Sequence, residues 1–84
     1  MCTGIVQSAE VSGSGKGPQG WFKLEQVNVS YDHPTDAPLE HGLNIDFVNP
    51  EMGPGARVAV ELDAESAKKL VQAILAALSQ AETV

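Results

Sequence analysis

Apolar and polar residues alternate along most of the first 62 residues. Because successive side chains of a β-strand point to opposite faces, this period of two predicts strands with one buried face. The clearest case has Leu43, Ile45 and Phe47 on one face and Asn44 and Asp46 on the other. Gly- and Pro-rich segments separate the strands. The predicted strands are 2–11, 21–31, 41–48 and 56–62.

The second predicted strand changes phase in its middle. Its apolar residues stand at even positions up to Leu24 and at odd positions from Val27 onward. An extra residue in a strand produces such a change, so the pattern predicts a β-bulge near Glu25 and Gln26.

The period changes to that of a helix over residues 63–80, with Asp63 as the N-cap. Its apolar stripe consists of Ala67, Leu70, Val71, Ile74, Leu75 and Leu78, and its polar side of Lys68, Lys69, Gln72 and Gln80. This stripe needs an apolar surface, and the sheet offers one. We therefore predict an α+β fold (ββββα), a four-stranded antiparallel β-sheet with one C-terminal α-helix packed on one face. A single domain, 1–84, contains the sheet in 1–62 and the helix in 63–80.

The length of 84 residues limits the core. A chain of this size buries only about 60 to 65% of its unfolded surface. The second sheet face carries short polar groups such as Asn28, Ser30 and Asn44, and a four-stranded sheet has two open edges. We therefore expect a homo-oligomer, a dimer or larger.

The net charge of −6, with five basic residues scattered along the chain, argues against nucleic acid and anionic membranes as partners. No apolar run approaches the length of about 20 residues that crosses a bilayer, and we identify no signal peptide at the N-terminus. A single cysteine excludes an internal disulfide framework. These features predict a cytoplasmic protein.

The segment 13–20, "GSGKGPQG", is rich in Gly and predicts a flexible hairpin loop. It does not match a P-loop, because Gly17 stands where the Ser or Thr after Gly-Lys is required and a strand follows instead of a helix.

The segment 31–41, "YDHPTDAPLEH", contains both histidines of the chain. If consecutive strands pair as antiparallel neighbours, Cys2, the end of the second strand and the start of the third lie at one end of the sheet. Strand parity directs His33 and His41 to the helix-covered face. Thiolate and imidazole are ligands of zinc, copper, nickel and iron. We therefore predict a metal site, with zinc as the first choice, formed by Cys2, His33 and His41 with water, Asp32 or Glu40 as the fourth ligand.

Three other interpretations of the same residues remain open. In the structural one, His33 and His41 cap a loop by hydrogen bonding and Cys2 is a small, half-buried residue. In the catalytic one, Cys2 is a nucleophile activated by an imidazole, although a chain of this size offers little room for a substrate pocket. In the third, the protein is a non-catalytic homo-oligomeric interaction or scaffold module without metal, and its exposed sheet face binds a partner.

The segments "MCTGI", "GSGKGPQGWF", "YDHP", "EHGLNIDFVNP" and "ARVAVEL" resemble a family of small actinobacterial proteins of unknown function. The resemblance covers most of the chain and implies a stand-alone bacterial protein. It implies no activity, and no functional residue is transferred from it.

Overall fold

The computed structural model describes residues 4–83 and confirms the α+β fold. Four strands and one helix follow in the order β1 (Ile5–Gly17), β2 (Gly20–Asp32), β3 (Gly42–Val48), β4 (Arg57–Leu62) and α1 (Ala64–Ala81). A short 3-10 helix, Pro50–Met52, lies between β3 and β4. The strands form one antiparallel sheet in which each strand pairs with the next along the chain, so β1 and β4 are its edges.

The register separates the sheet into an apolar face and a polar face. Val29, Ile45 and Val60 stand side by side across β2, β3 and β4, and the adjacent row is Ser30, Asn44 and Glu61. Side chains in one row share a face because paired residues point to the same side of a sheet. The other residues of the apolar face are Val27, Tyr31, Leu43, Phe47, Val58 and Leu62.

The Gly-rich segment differs from the prediction of a flexible loop. β1 continues through it to Gly17, and only Pro18 and Gln19 form the turn to β2. A Cβ on Gly15 would lie 2.9 Å from Leu24 Cδ2 and 3.3 Å from Val58 Cγ2. The glycines therefore let the end of the β1–β2 hairpin curl closely over β4, which is a packing role that composition alone does not distinguish from flexibility.

The predicted bulge is displaced to the neighbouring strand. The β1–β2 register shifts between Glu10 and Gly13, opposite the stretch from Gln26 to Leu24, so the extra residue belongs to β1. On its other side, β2 pairs with β3 without interruption from Gln26 to Asp32. The prediction of a bulge at Glu25 and Gln26 is therefore wrong about the strand. The bulge lies in β1, directly opposite the predicted position in β2.

Asn49 directly follows β3 and is a buried polar residue, with 3% of its surface exposed. Its Nδ2 donates to the carbonyl of Lys23 at 2.9 Å, and its Oδ1 accepts from the Glu51 N–H at 3.1 Å. Its own N–H donates to the Ala56 carbonyl at 3.2 Å. One side chain thus ties the β3–β4 connection to β2.

Helix α1 begins as predicted, because the Asp63 carboxylate accepts the Ser66 N–H at 2.7 Å as an N-cap. Ala67 is buried at 8% exposure, and α1 contacts the sheet through β3. Exposure then rises along the apolar stripe, from 39% at Leu70 to 60% at Leu78. The stripe was expected to be covered by the sheet. Instead, the apolar side chains of α1 are exposed from Leu70 onward.

Candidate functional site

The connection between β2 and β3, residues 33–41, is held by local hydrogen bonds. The Asp32 carboxylate accepts the His33 N–H at 2.7 Å. The Nδ1 of His33 lies 3.1 Å from the Glu40 carbonyl oxygen, a hydrogen bond in the tautomer that carries its proton on Nδ1. These two contacts close the segment on itself, as the structural interpretation of His33 anticipates.

Glu61 of β4 anchors the same segment from across the polar face. Its carboxylate accepts the backbone N–H groups of Thr35 at 2.7 Å, Asp36 at 3.0 Å and Ala37 at 2.9 Å. The N–H groups of Ala37 and Thr35 hold the pKa of Glu61 below its usual value, since hydrogen bonds to a carboxylate favour its charged form. Sequence reasoning missed this residue because its partners are backbone groups 24 to 26 positions away, which leave no side-chain motif.

The two histidines lie on opposite sides of the sheet, which corrects the prediction that both point to the helix side. His41 stacks on Tyr31, whose row belongs to the apolar face. His33 instead borders a cavity on the polar face. The parity argument required β2 to continue through His33, whereas β2 ends at Asp32.

The described residues do not assemble the predicted metal site. Within residues 4–83, no group of three His, Cys, Asp or Glu side chains is arranged to hold a metal ion. Cys2, the third predicted ligand beside His33 and His41, lies outside the described residues. Asp32 and Glu40 contact His33 as hydrogen-bonding partners, through a carboxylate and a backbone carbonyl respectively.

The polar face holds a cavity of about 250 Å³ between Glu61, Asp46 and His33. Arg57 forms a salt bridge with Asp46 at 2.7 Å, and its Nε donates to the same carboxylate at 2.8 Å. The Oδ1 of Asn44 is buried there without a hydrogen-bond partner. The cavity therefore presents hydrogen-bond acceptors, and its guanidinium is already paired.

A second concave surface lies where the β1–β2 hairpin curls over β4. We call it the hairpin groove; it measures about 420 Å³. Trp21 stands at its margin with 71% of its surface exposed. Its lining residues are Ser14, Gly15, Lys16, Trp21, Leu24, Phe47 and Val58. The groove is thus mainly apolar and bordered by one cation.

The apolar stripe of α1 is the other open apolar surface. Leu70, Val71, Ile74, Leu75 and Leu78 are each between 39% and 60% exposed. The spacing of the stripe predicts an amphipathic helix, but it does not tell whether the surface that covers the stripe belongs to the same chain. No helix within the described part of the chain is both long and apolar enough to cross a membrane.

Comparison with curated proteins and comparison with solved structures gave no significant match. The family model DUF6295, described as a family of unknown function, matches residues 1–84, the full length of the chain. The expected resemblance to a family of unknown function is confirmed at this level. The chain therefore belongs to the DUF6295 family of unknown function.

Proposed function

We propose that this protein is a non-catalytic interaction module that assembles into homo-oligomers through the apolar stripe of α1. The exposure of five large aliphatic side chains on one helix supports this proposal. Scattered apolar residues on a surface are ordinary, but a contiguous apolar stripe marks an interaction site.

Burial of the apolar stripe provides a driving force for association. Full burial of a Leu, Ile or Val side chain contributes about 1.5 to 3 kcal/mol. Because each side chain of the stripe is about half exposed, covering its exposed part contributes about 1 kcal/mol. Five such residues supply about 5 kcal/mol per helix, and a symmetric dimer uses two helices. The net charge of −6 on each copy opposes this association through repulsion. Added salt screens that repulsion, so association strengthens with ionic strength.

Analytical ultracentrifugation tests the proposal on the full chain. We expect a sedimentation coefficient above that of an 8.8 kDa monomer and increasing with concentration. Leu75→Lys places a charge in the stripe and shifts the protein to monomer. Gln72→Lys is the matched control, since it adds the same charge on the polar side of α1 and leaves association intact. A wild-type monomer at all concentrations and salt levels contradicts the proposal.

The finer predictions from the sequence remain predictions. They are the zinc site of Cys2, His33 and His41 with Asp32 or Glu40, the actinobacterial origin and the cytoplasmic location. The described residues lend no support to zinc, because the two histidines lie on opposite faces of the sheet.

A further inference from the structure

We propose that the hairpin groove is the docking site for the C-terminal half of α1 from a second copy of the chain. This inference rests on the proposed self-association and assigns its receiving surface. Each copy offers one open helix stripe and one open groove, so a reciprocal exchange across a two-fold axis covers both surfaces in both copies.

The apolar lining and the volume of the groove suit the aliphatic side chains of a helix as its occupant. Phe47 and Val58 of the apolar face and Leu24 of β2 provide aliphatic and aromatic surface, and Trp21 rises at the margin. The volume of about 420 Å³ accommodates several aliphatic side chains projecting from one helix face. Gly15 lets the hairpin lie against Leu24 and Val58, because a Cβ there would be only 2.9 Å from Leu24 Cδ2.

The gradient of exposure along α1 selects its C-terminal half. The stripe is closest to its own sheet at the buried Ala67 and most open at Leu75 and Leu78, with 57% and 60% exposure. These two residues lie one turn apart on the same face of the helix and are the most exposed part of the stripe.

Charge complementarity favours one direction of docking. Lys16 borders the groove, and neither of the ion pairs found among residues 4–83 involves it. The last turn of α1 has no basic residue, is followed by Glu82 as the C-cap and presents the negative end of the helix dipole. Lys16 of one copy therefore attracts the C-terminal end of α1 from the other, in a chain that is otherwise acidic.

Fluorescence of Trp21 tests the docking directly, since it is the single tryptophan of the chain. On association we expect its emission to shift to shorter wavelength and its quenching by iodide to fall several-fold, both reversed by dilution. Leu78→Lys removes the shift, and Gln72→Lys retains it. Circular dichroism of each variant verifies that α1 is intact.

Exchange of the charges at Lys16 and Glu82 provides a second test of the docking. Lys16→Glu and Glu82→Lys each place like charges together and weaken association by roughly two- to thirtyfold, the range for an exposed ion pair repeated twice in a dimer. The double variant K16E/E82K restores the wild-type dissociation constant. Both effects diminish in high salt.

The outcomes separate the two proposals. Association with Trp21 fully quenchable, or without rescue in the double variant, overturns the groove assignment and leaves self-association in place. A chain that remains monomeric in ultracentrifugation overturns both. Tryptophan burial that depends on concentration and is lost in Leu78→Lys supports both.

Discussion

His41 stacks on Tyr31, with ring centroids 5.9 Å apart and planes inclined by 17°. Aromatic pairs of this kind contribute about 0.5 to 1.5 kcal/mol beyond area burial. We expect His41→Ala to lower the free energy of unfolding by about 1 kcal/mol and His41→Phe to preserve most of it. Urea denaturation monitored by circular dichroism measures both. Equal destabilisation by the two substitutions would show that stacking is not the contribution of His41.

Elemental analysis decides the role of Cys2 and the histidines. In the proposed module without metal, we expect protein purified without tag or chelator to carry zinc far below one ion per chain. His41→Ala then changes stability through stacking alone, with or without added zinc. Near-stoichiometric metal that is lost in both Cys2→Ser and His41→Ala would instead establish the predicted metal site.

The Glu61 carboxylate makes the conformation of the segment 33–41 dependent on pH. Its pKa is lowered in the folded protein, so its contribution is complete above the ordinary value of 4.5 and is lost as pH falls through the lower folded value. We expect amide exchange at Thr35 and Ala37, corrected for intrinsic rates, to accelerate several-fold below this range. Glu61→Gln weakens protection at neutral pH and removes the acid step. Unchanged protection in Glu61→Gln would exclude the anchoring role.

Gly17 and Gly13 are predicted to respond in opposite ways to alanine. A Cβ on Gly17 would lie 3.1 Å from the Arg57 carbonyl oxygen and 3.1 Å from Phe22 Cε1, whereas Gly13 has no neighbour within 4 Å. We expect Gly17→Ala to cost about 1 to 2 kcal/mol because of overpacking. Gly13→Ala is the control. It stabilises the folded protein by about 0.5 to 1 kcal/mol, because alanine restricts the conformations of the unfolded chain. Thermal unfolding compares the two, and the same sign for both contradicts the packing role of Gly17.

Asn49 is expected to be the most sensitive polar position of the sheet. Asn49→Ala leaves the Lys23 carbonyl and the Glu51 N–H without their partner, at a cost of about 2 to 3 kcal/mol. Asn49→Asp separates the two contacts, because a carboxylate still accepts from Glu51 but donates nothing to Lys23. Urea denaturation of both variants measures this difference. A cost within about 0.5 kcal/mol for Asn49→Ala would show that neither bond matters.

The order of elements and the antiparallel sheet followed from periodicity, because alternation in 41–48 and 56–62 and the spacing in 63–80 are local signals. The extension of β1 to Gly17 did not follow, since Gly15 and Gly17 serve contacts with β4 that only the folded chain creates. The sequence indicated that the segment 31–41 connects the second and third strands, but it did not indicate the directions of its two histidine side chains. β2 ends at Asp32, and the parity that assigned His33 to the same face as His41 does not extend past the end of a strand.

The anchor at Glu61 recognises only backbone amides of Thr35, Asp36 and Ala37, and it makes no demand on their side chains. Two of the three, Thr35 and Asp36, are exposed. Thr35 and Asp36 therefore accept side chains other than proline without losing these hydrogen bonds, as hypervariable loops do on a constant scaffold. A library randomised at positions 35 and 36 on an unchanged sheet would convert this small domain into a framework for selecting new binding specificities.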